Sequence, residues 1–343
     1  DETGVAYNMS AALMIEGHVD RRRVERTFEQ LVARHEAFRT SFGYVDDRAV
    51  QFVQPEVSFE LGFARAAGDI TTKGIDTLIR NFIRPFDVGK APLLRAELLQ
   101  MDRDKCMLLI DMHHLIADGT SIDTIINEWN KLYKGEELPV LPLQYKDYSA
   151  WLRSNTEIHA KQEQYWLEQY KGELPVLDLP TDYQRPQLQS FVGDMVKIEL
   201  SEKLIEQLNL TCLQTDSTLF MLLFAAYNVL LGKYAGQEDV VIGIPTSGRT
   251  HADTNGIVGL FVNTLAIRNH PASHKSFKTF LNEVKENTLQ ALQNQSYSFA
   301  ELVDKLSIKR DLSRNPLFDT MFSFMNTDAQ QWQADNLYIE LYP

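Results

Sequence analysis

A chain of 343 residues is too long for one ordinary domain and suits two of about 170, each large enough to bury its own core. With 44% apolar and 24% charged residues and no low-complexity tract, it has the composition of a soluble globular protein and excludes a disordered one. A formal charge of −13 and a pI near 5.1 repel a phosphate backbone, and the basic run Arg21-Arg22-Arg23 is soon followed by Glu25, so nucleic acid is not an expected partner.

In chain order, "AYNMSAALMIEG" places Met9, Ala11, Leu13 and Ile15 at the two-residue period of a strand with one buried face. Asp20 can cap the helix that follows, in which Val24, Phe28, Leu31 and Val32 form one inward stripe. "RAVQFVQP", "PLLRAELLQM" and "KCMLLIDM" read as strands, the last so continuously apolar that both of its faces are expected to be covered. A helix capped by Thr120 or Ser121 then carries Ile122, Ile125, Ile126, Trp129 and Tyr133 on one side. Between residues 170 and 190, Pro175, Pro180 and Pro186 block regular structure. The expected organisation is therefore a first lobe over 1–172, a linker over 173–190 and a second lobe over 191–343.

The second half offers a strand "DMVKIEL", a helix from Ser201 and a longer one from about Ser217. Buried strand "DVVIGIP", strand "GLFVNTLAIR" and a helix with Phe277, Phe280, Leu281, Val284, Leu289 and Leu292 mainly inward follow. The run "LFMLLFAAYNVLLG" is shorter than the roughly 20 residues of a spanning helix and reads as a core helix, so no membrane association is expected. No secretory leader opens the chain, and Cys106 and Cys212 lie in apolar contexts suited to reduced, buried thiols, which point to the cytoplasm. The start at Asp1 and the stop in "LYIELYP" are those expected of a piece of something longer. The mixture of elements is α/β without the strict alternation of a doubly wound sheet.

"DMHHLIADGTS", Asp111 to Ser121, stands where the buried strand empties into a loop. Neighbours on an extended strand end point to opposite faces, so His113 and His114 are expected to differ in role, one packed and one facing a cleft. Asp118 admits three readings: a metal ligand with the histidines, a carboxylate that orients a histidine, or an anchor held by an arginine. No second His/Cys/Glu cluster accompanies it, which weakens the metal reading, and "GIPTSG" around Ser247 is not a Gly-x-Ser-x-Gly elbow, so a serine triad lacks its nucleophile. Gly119, without a Cβ, allows a sharp turn and close substrate approach, and the N–H groups after it could stabilise an oxyanion.

"MHHLIADGTS" closely resembles the HHxxxDG signature of condensation domains of nonribosomal peptide synthetases, members of the chloramphenicol-acetyltransferase-like superfamily. Other segments resemble the family's motifs in order: "RHEAFRTSF" (34–42, with Phe38 where leucine is usual), "YKDYSAW" (145–151), "IVGLFVNTLAIR" (257–268), "NQSYSFAEL" (294–302, with Ser298 where proline is usual) and "RDLSRNPLFDTMFSF" (310–324). The family's first motif is absent, and the chain stops before its usual carboxyl end.

The resemblance implies two acetyltransferase-like lobes arranged as a V, an α/β (α+β) fold, with the histidine motif in the tunnel between them. It implies amide-bond formation between a donor aminoacyl or peptidyl thioester and the amine of an acceptor aminoacyl thioester. The implied partners are donor and acceptor peptidyl carrier proteins, which bring the substrates on phosphopantetheine arms, and an adjoining adenylation domain. No metal or bound cofactor is implied. His114 would be the catalytic, cleft-facing residue, and His113 structural. Asp118 would be an anchor paired with Arg39 or Arg268. Asn263, Arg310, Asp311, Arg314 and Asn315 would belong to an inter-lobe or tunnel-wall network, and Tyr145, Tyr148 and Trp151 would pack. The rivals are a CoA-dependent acyltransferase of the same superfamily, against which the missing DFGWG element speaks, an epimerization domain, and a catalytically silent docking module.

Overall fold

The computed structural model describes residues 2–65, 72–190, 192–308, 311–325 and 331–342. The elements begin with strand β1 (Asn8–Glu16), helix α1 (Arg21–Arg34), strands β2 (Thr40–Val45), β3 (Arg48–Val53) and β4 (Gly62–Arg65), and helix α2 (Thr72–Phe82). Next come strands β5 (Leu94–Asp102) and β6 (Lys105–His113) and helices α3 (Gly119–Lys134), α4 (Tyr145–Ser154), α5 (Thr156–Gln169), α6 (Glu202–Thr215) and α7 (Leu219–Ala235). The rest are strands β7 (Val240–Thr246) and β8 (Asn263–Asn269), helices α8 (Phe277–Gln293) and α9 (Phe299–Lys305), and strands β9 (Gln331–Ala334) and β10 (Leu337–Leu341).

The chain divides into two compact units, one of Asp1–Ser154, Arg249–Phe261 and Thr327–Pro343, the other of Asn155–Gly248 and Val262–Asn326. These do not coincide with the contiguous lobes expected over 1–172 and 191–343. The reason lies in pairing: β10 adds to β1 rather than to a neighbour in sequence, and residues 249–261 are fastened to α3 by contacts described below.

In the first unit a sheet of order β4-β5-β6-β1-β10-β9 is antiparallel except where β4 runs alongside β5. The register of β1 on β6 runs from Asn8 opposite His113 to Glu16 opposite Lys105. That register puts Leu13 and Leu108 on the face that packs against α1 and α3, and Ala12, Met14, Met107 and Leu109 on the face covered from Ile75 and Leu78 of α2. β6 is thus buried on both sides, as its unbroken apolar run requires. Asp20 caps α1 by accepting the N–H groups of Arg22 and Arg23, and Val24, Phe28, Leu31 and Val32 are buried.

In the second unit β7 pairs antiparallel with β8, and α7 and α8 pack on them. Phe322 and Thr320 exchange backbone hydrogen bonds with Gly243 of β7. A side chain at 243 would meet the Phe318 ring at 2.6 Å, which accounts for glycine there. Residues 173–190 form neither helix nor strand. "DMVKIEL" is not the strand expected from its alternation: Val196 and Ile198 are 87% and 78% exposed. An alternating pattern supplies side-chain faces, but a strand also needs a neighbour for its backbone, and none among the described residues pairs with it. On α8, Phe280, Leu281 and Val284 are buried whereas Phe277 and Leu289 are exposed, contrary to the expectation for those two. Cys106 and Cys212 are free and buried. Among the described residues no single helix is long and apolar enough to cross a membrane; only α6 and α7 taken together, bent by 100°, reach that length and composition.

Candidate functional site

β6 ends at His113, whose backbone N–H donates to the Leu93 carbonyl, and the next N–H, that of His114, donates to the Tyr7 carbonyl. The chain then tightens into a short 3-10 turn, His114–Ile116. The Leu115 N–H donates to Nδ1 of His113 at 3.1 Å, which fixes that imidazole as an acceptor at Nδ1. The His113 ring stacks on Tyr7 and meets the edge of Phe86, each at 6.3 Å between centroids. Burial, with the nearby His114 charge adding to it, pushes the His113 pKa down. His113 is therefore a packed, neutral ring near pH 7, while His114 begins the turn half-buried, with Nδ1 buried and without a hydrogen-bond partner.

Beneath the same strand end, Asp111 is fully buried. It accepts from Asn8 Nδ2 and Ser10 Oγ at 2.9 Å each, with Arg95 Nε at 3.6 Å. Burial raises its pKa against these partners. Arg95 lies 3.7 Å over the Phe86 ring, so the charge pair supports the aromatic wall beside His113.

Asp118 is the N-cap of α3, two or three residues before the cap expected at Thr120 or Ser121, and is 2% exposed. Its Oδ1 accepts from the Ser121 N–H at 2.8 Å, with Ser121 Oγ at 2.7 Å and Arg249 Nη2 at 3.3 Å. Its Oδ2 accepts from the Phe261 N–H at 2.9 Å. Ser121 Oγ also lies 2.9 Å from the Gly259 carbonyl and accepts the Gly259 N–H at 3.1 Å. The carboxylate thus holds a helix start and a distant loop in one network, and a helix start is where a negative charge is favoured.

Arg249 is the cation of this network, and the expected pairing of Asp118 with Arg39 or Arg268 is corrected. Arg39 donates to the backbone carbonyls of Val32, Gln54 and Pro55. Arg268 is held by both carboxylate oxygens of Asp239, at 2.6 Å from Nη2 to Oδ2 and 3.0 Å from Nε to Oδ1, and by the carbonyl of Glu173. Arg249 also donates to the Thr254 and Ile257 carbonyls, and its guanidinium lies 4.0 Å over the Phe261 ring. Phe261 in turn packs on Tyr145 and Tyr148, and the Tyr145 hydroxyl donates to the Leu260 carbonyl at 2.6 Å. Burial drives the Tyr145 phenol up to about 12.

Sequence reading missed Arg249, took Ser121 only as a helix-cap candidate, and placed Gly259 and Phe261 in a motif without assigning them a part in holding Asp118. The available signal was that "GRT" and "IVGLF" bracket one short loop, each end carrying a group that a buried carboxylate needs. Gly119 has an ordinary φ, and a Cβ there would meet nothing within 4 Å, so neither a sharp turn nor crowding explains it.

Of the other expected residues, Asn263 is fully engaged inside the second unit. Its amide N–H groups donate to the carbonyls of Gln295 and Tyr297, and its oxygen accepts from Thr264 and Phe299. Asp311 accepts from the Ser313 N–H and hydroxyl, Asn315 from the Leu317 N–H, and Arg314 stands 3.5 Å from buried Asp319. Asp311, Arg314 and Asn315 thus close local turns; Arg310 lies outside the described residues. Among the described residues, no three of His, Cys, Asp and Glu gather as a metal-binding set.

Several known proteins resemble this one. The chain is 47% identical over 344 residues to tyrocidine synthase 3 of Brevibacillus parabrevis, matching all of this chain and 5% of that protein. It is 47% identical over 335 residues to bacitracin synthase 1 of Bacillus licheniformis, matching 97% of this chain and 6% of that protein. The chain therefore spans about one twentieth of the length of these relatives.

Among solved structures, the X-domain of teicoplanin biosynthesis in complex with OxyB superposes with a TM-score of 0.91 at 22% identity, covering all of this chain and 77% of that one. The four-domain nonribosomal peptide synthetase AB3403 superposes with a TM-score of 0.88 at 22% identity, covering all of this chain and 28% of that one. At such identities the likeness is one of fold: mixed α and β, of the condensation-domain type. A family model described as "Condensation domain" matches residues 1–343 from end to end. With the paired histidines and the capped, arginine-held aspartate inside that span, this chain belongs to the condensation domain family.

Proposed function

We propose that this domain joins two carrier-borne aminoacyl groups by an amide bond beside His114. The acceptor's α-amine attacks the donor's thioester carbonyl, the C–S bond breaks, and the donor's thiolate leaves on its own arm. The nitrogen sheds one proton, which passes by way of the imidazole to that thiolate. An α-amine has a pKa of about 7.7–8.0 and an imidazole about 6.5, so the ring can hold the neutral amine or take its proton near neutral pH. Bringing two tethered reactants into line contributes a rate factor of its own.

The observation that carries this reading is the intact HH-x3-DG in which Asp118 caps α3 and is held by Arg249 and Phe261, with His114 on the short turn between β6 and that cap. Such an arrangement fixes the backbone of His114 from both sides. The partners are then a donor and an acceptor carrier protein and an adenylation domain that loads one of them. The test is to charge both carriers, mix them with wild-type or His114→Ala protein, and follow dipeptidyl thioester by mass spectrometry. Product is expected from the wild type and a loss of at least tenfold from the variant; undiminished product would end the assignment. Turnover of a CoA-borne donor in place of the carrier-borne one would favour the acyltransferase reading, and no turnover of either would favour a docking module.

A further inference from the structure

Asp111 and His113 continue the face of β6 that begins with Met107 and Leu109, and there the apolar layer against α2 ends in a row of polar groups. Arg95 of β5 and Ser10 of β1 stand opposite Asp111 in register, and Asn8 stands opposite His113. The segment between α2 and β5 crosses this row and is tied to it at three successive residues. Asn8 Nδ2 donates to the Arg84 carbonyl at 3.0 Å, Arg95 Nη2 donates to the Pro85 carbonyl at 3.2 Å, and the Arg95 guanidinium lies 3.7 Å over the Phe86 ring. Asp111, fully buried, holds both Asn8 and Arg95.

What this tie fixes is the ring of His113. Phe86 meets that ring edge-on, with 84° between the planes and a separation normal for edge-to-face aromatic pairs. The ring's second aromatic neighbour, Tyr7, is 66% exposed, so the firm wall is the one that Arg95 supports. His113 in turn accepts the Leu115 N–H at Nδ1 and so caps the 3-10 turn that begins with His114. A rotated imidazole loses that bond, because hydrogen bonds weaken steeply once bent below about 120°.

We propose that Arg95 is a positioning residue for bond formation: by clamping residues 84–86 it sets the angle of the His113 ring, and through the Leu115 N–H it sets the turn from which His114 works. This rests on the reading of His114 given above. The requirement is for a planar cation and not for charge alone. A lysine at 95 keeps a charge beside Asp111 but cannot cover the Phe86 face and reach Asp111 and Pro85 at once.

The test compares Arg95→Lys with wild type in dipeptide formation between loaded donor and acceptor carriers. Misplacing a reacting group by about 1 Å costs on the order of a hundredfold, so kcat should fall by about ten- to a hundredfold while KM for each carrier stays near its wild-type value. Phe86→Leu should show the same loss, and the double variant should be no slower than the slower single, since both act through one ring. A spectroscopic readout needs no turnover. In protein whose histidines are labelled with heavy nitrogen, the His113 resonances, identified by their absence from His113→Asn, should move in Arg95→Lys as Nδ1 loses the Leu115 donor. Should Arg95→Lys fail to fold by thermal melting, Phe86→Leu carries both measurements. An unchanged kcat, losses that multiply in the double variant, or His113 resonances that stay in place overturn the proposal. Undiminished product from His114→Ala removes the earlier reading instead, and the His113 resonances then still decide whether Arg95 holds the turn.

Discussion

Replacing Asp118 by asparagine changes one oxygen to an NH₂ and removes one charge. The side chains of Asp118 and Arg249 are each 3% exposed, so the guanidinium would be left buried without its counter-charge. Breaking a buried pair by removing one partner costs about 3–5 kcal/mol. The asparagine oxygen can still accept from the Ser121 N–H and keep the cap, but its NH₂ then confronts the Phe261 N–H, donor against donor. That second loss is part of the same 3–5 kcal/mol, because both follow from one carboxylate.

Against a typical domain stability of about 5–15 kcal/mol this is a large fraction. Urea denaturation should show the midpoint lowered by roughly 1–2 M with little change in slope. Arg249→Met should also destabilise, and the double variant Asp118→Asn/Arg249→Met should be more stable than the sum of the two losses predicts, with a coupling of about 0.5–3 kcal/mol. An Asp118→Asn midpoint within 0.3 M of wild type, or strict additivity in the cycle, would refute the argument that this pair anchors the loop.

Gly259→Ala should destabilise by about 1–3 kcal/mol, because its Cβ would stand 2.2 Å from Cδ2 of Tyr145; combining it with Tyr145→Ala should cost less than the sum, as melting curves would show. Glu128 is pushed up by burial, but hydrogen bonds from His35 and Arg34, with their charges, outweigh this and hold its pKa below the usual value. Its contribution is therefore present above the ordinary glutamate range and is lost as pH falls through the depressed folded value, so acid unfolding should be shallower in Glu128→Gln than in wild type. Asp111 has the opposite sign. Its raised pKa means that stability from it is full below about pH 4 and declines as pH rises through the folded value. Asp111→Asn should thus narrow the stability difference between pH 4 and pH 7, measured by guanidinium midpoints.

Periodicity made β1, α1, β6 and α3 legible because each has one face, or two, that must leave water. Val24, Phe28 and Leu31 on α1 and the unbroken "CMLLI" of β6 carry that requirement in their spacing alone. A cap was legible where one candidate stood alone, as at Asp20. It was misread where Asp118, Thr120 and Ser121 competed, and the residue with a distant cation and a distant N–H prevailed.

That Asp118 needed a cation could be reasoned from burial. Which cation could not, since Arg39, Arg249 and Arg268 are equal in charge and differ only in what the fold sets beside them. Arg268 was lost to Asp239 and Arg39 to backbone carbonyls, neither of which leaves a mark at the arginine itself. The same limit hid the strand order: nothing in Leu337–Leu341 names β1 as its neighbour.

The span between Asp118 and its two farther partners, 131 residues to Arg249 and 143 to Phe261, has a consequence for biosynthesis. At translation rates of roughly 5–20 residues per second, the carboxylate emerges from the ribosome at least several seconds before its guanidinium. During that interval the start of α3 has a charge destined for the interior and no counter-ion for it, so the turn bearing His114 must stay open to water. A nascent chain arrested before residue 249 should accordingly remain protease-sensitive at this turn and a client for chaperones, however complete its early strands.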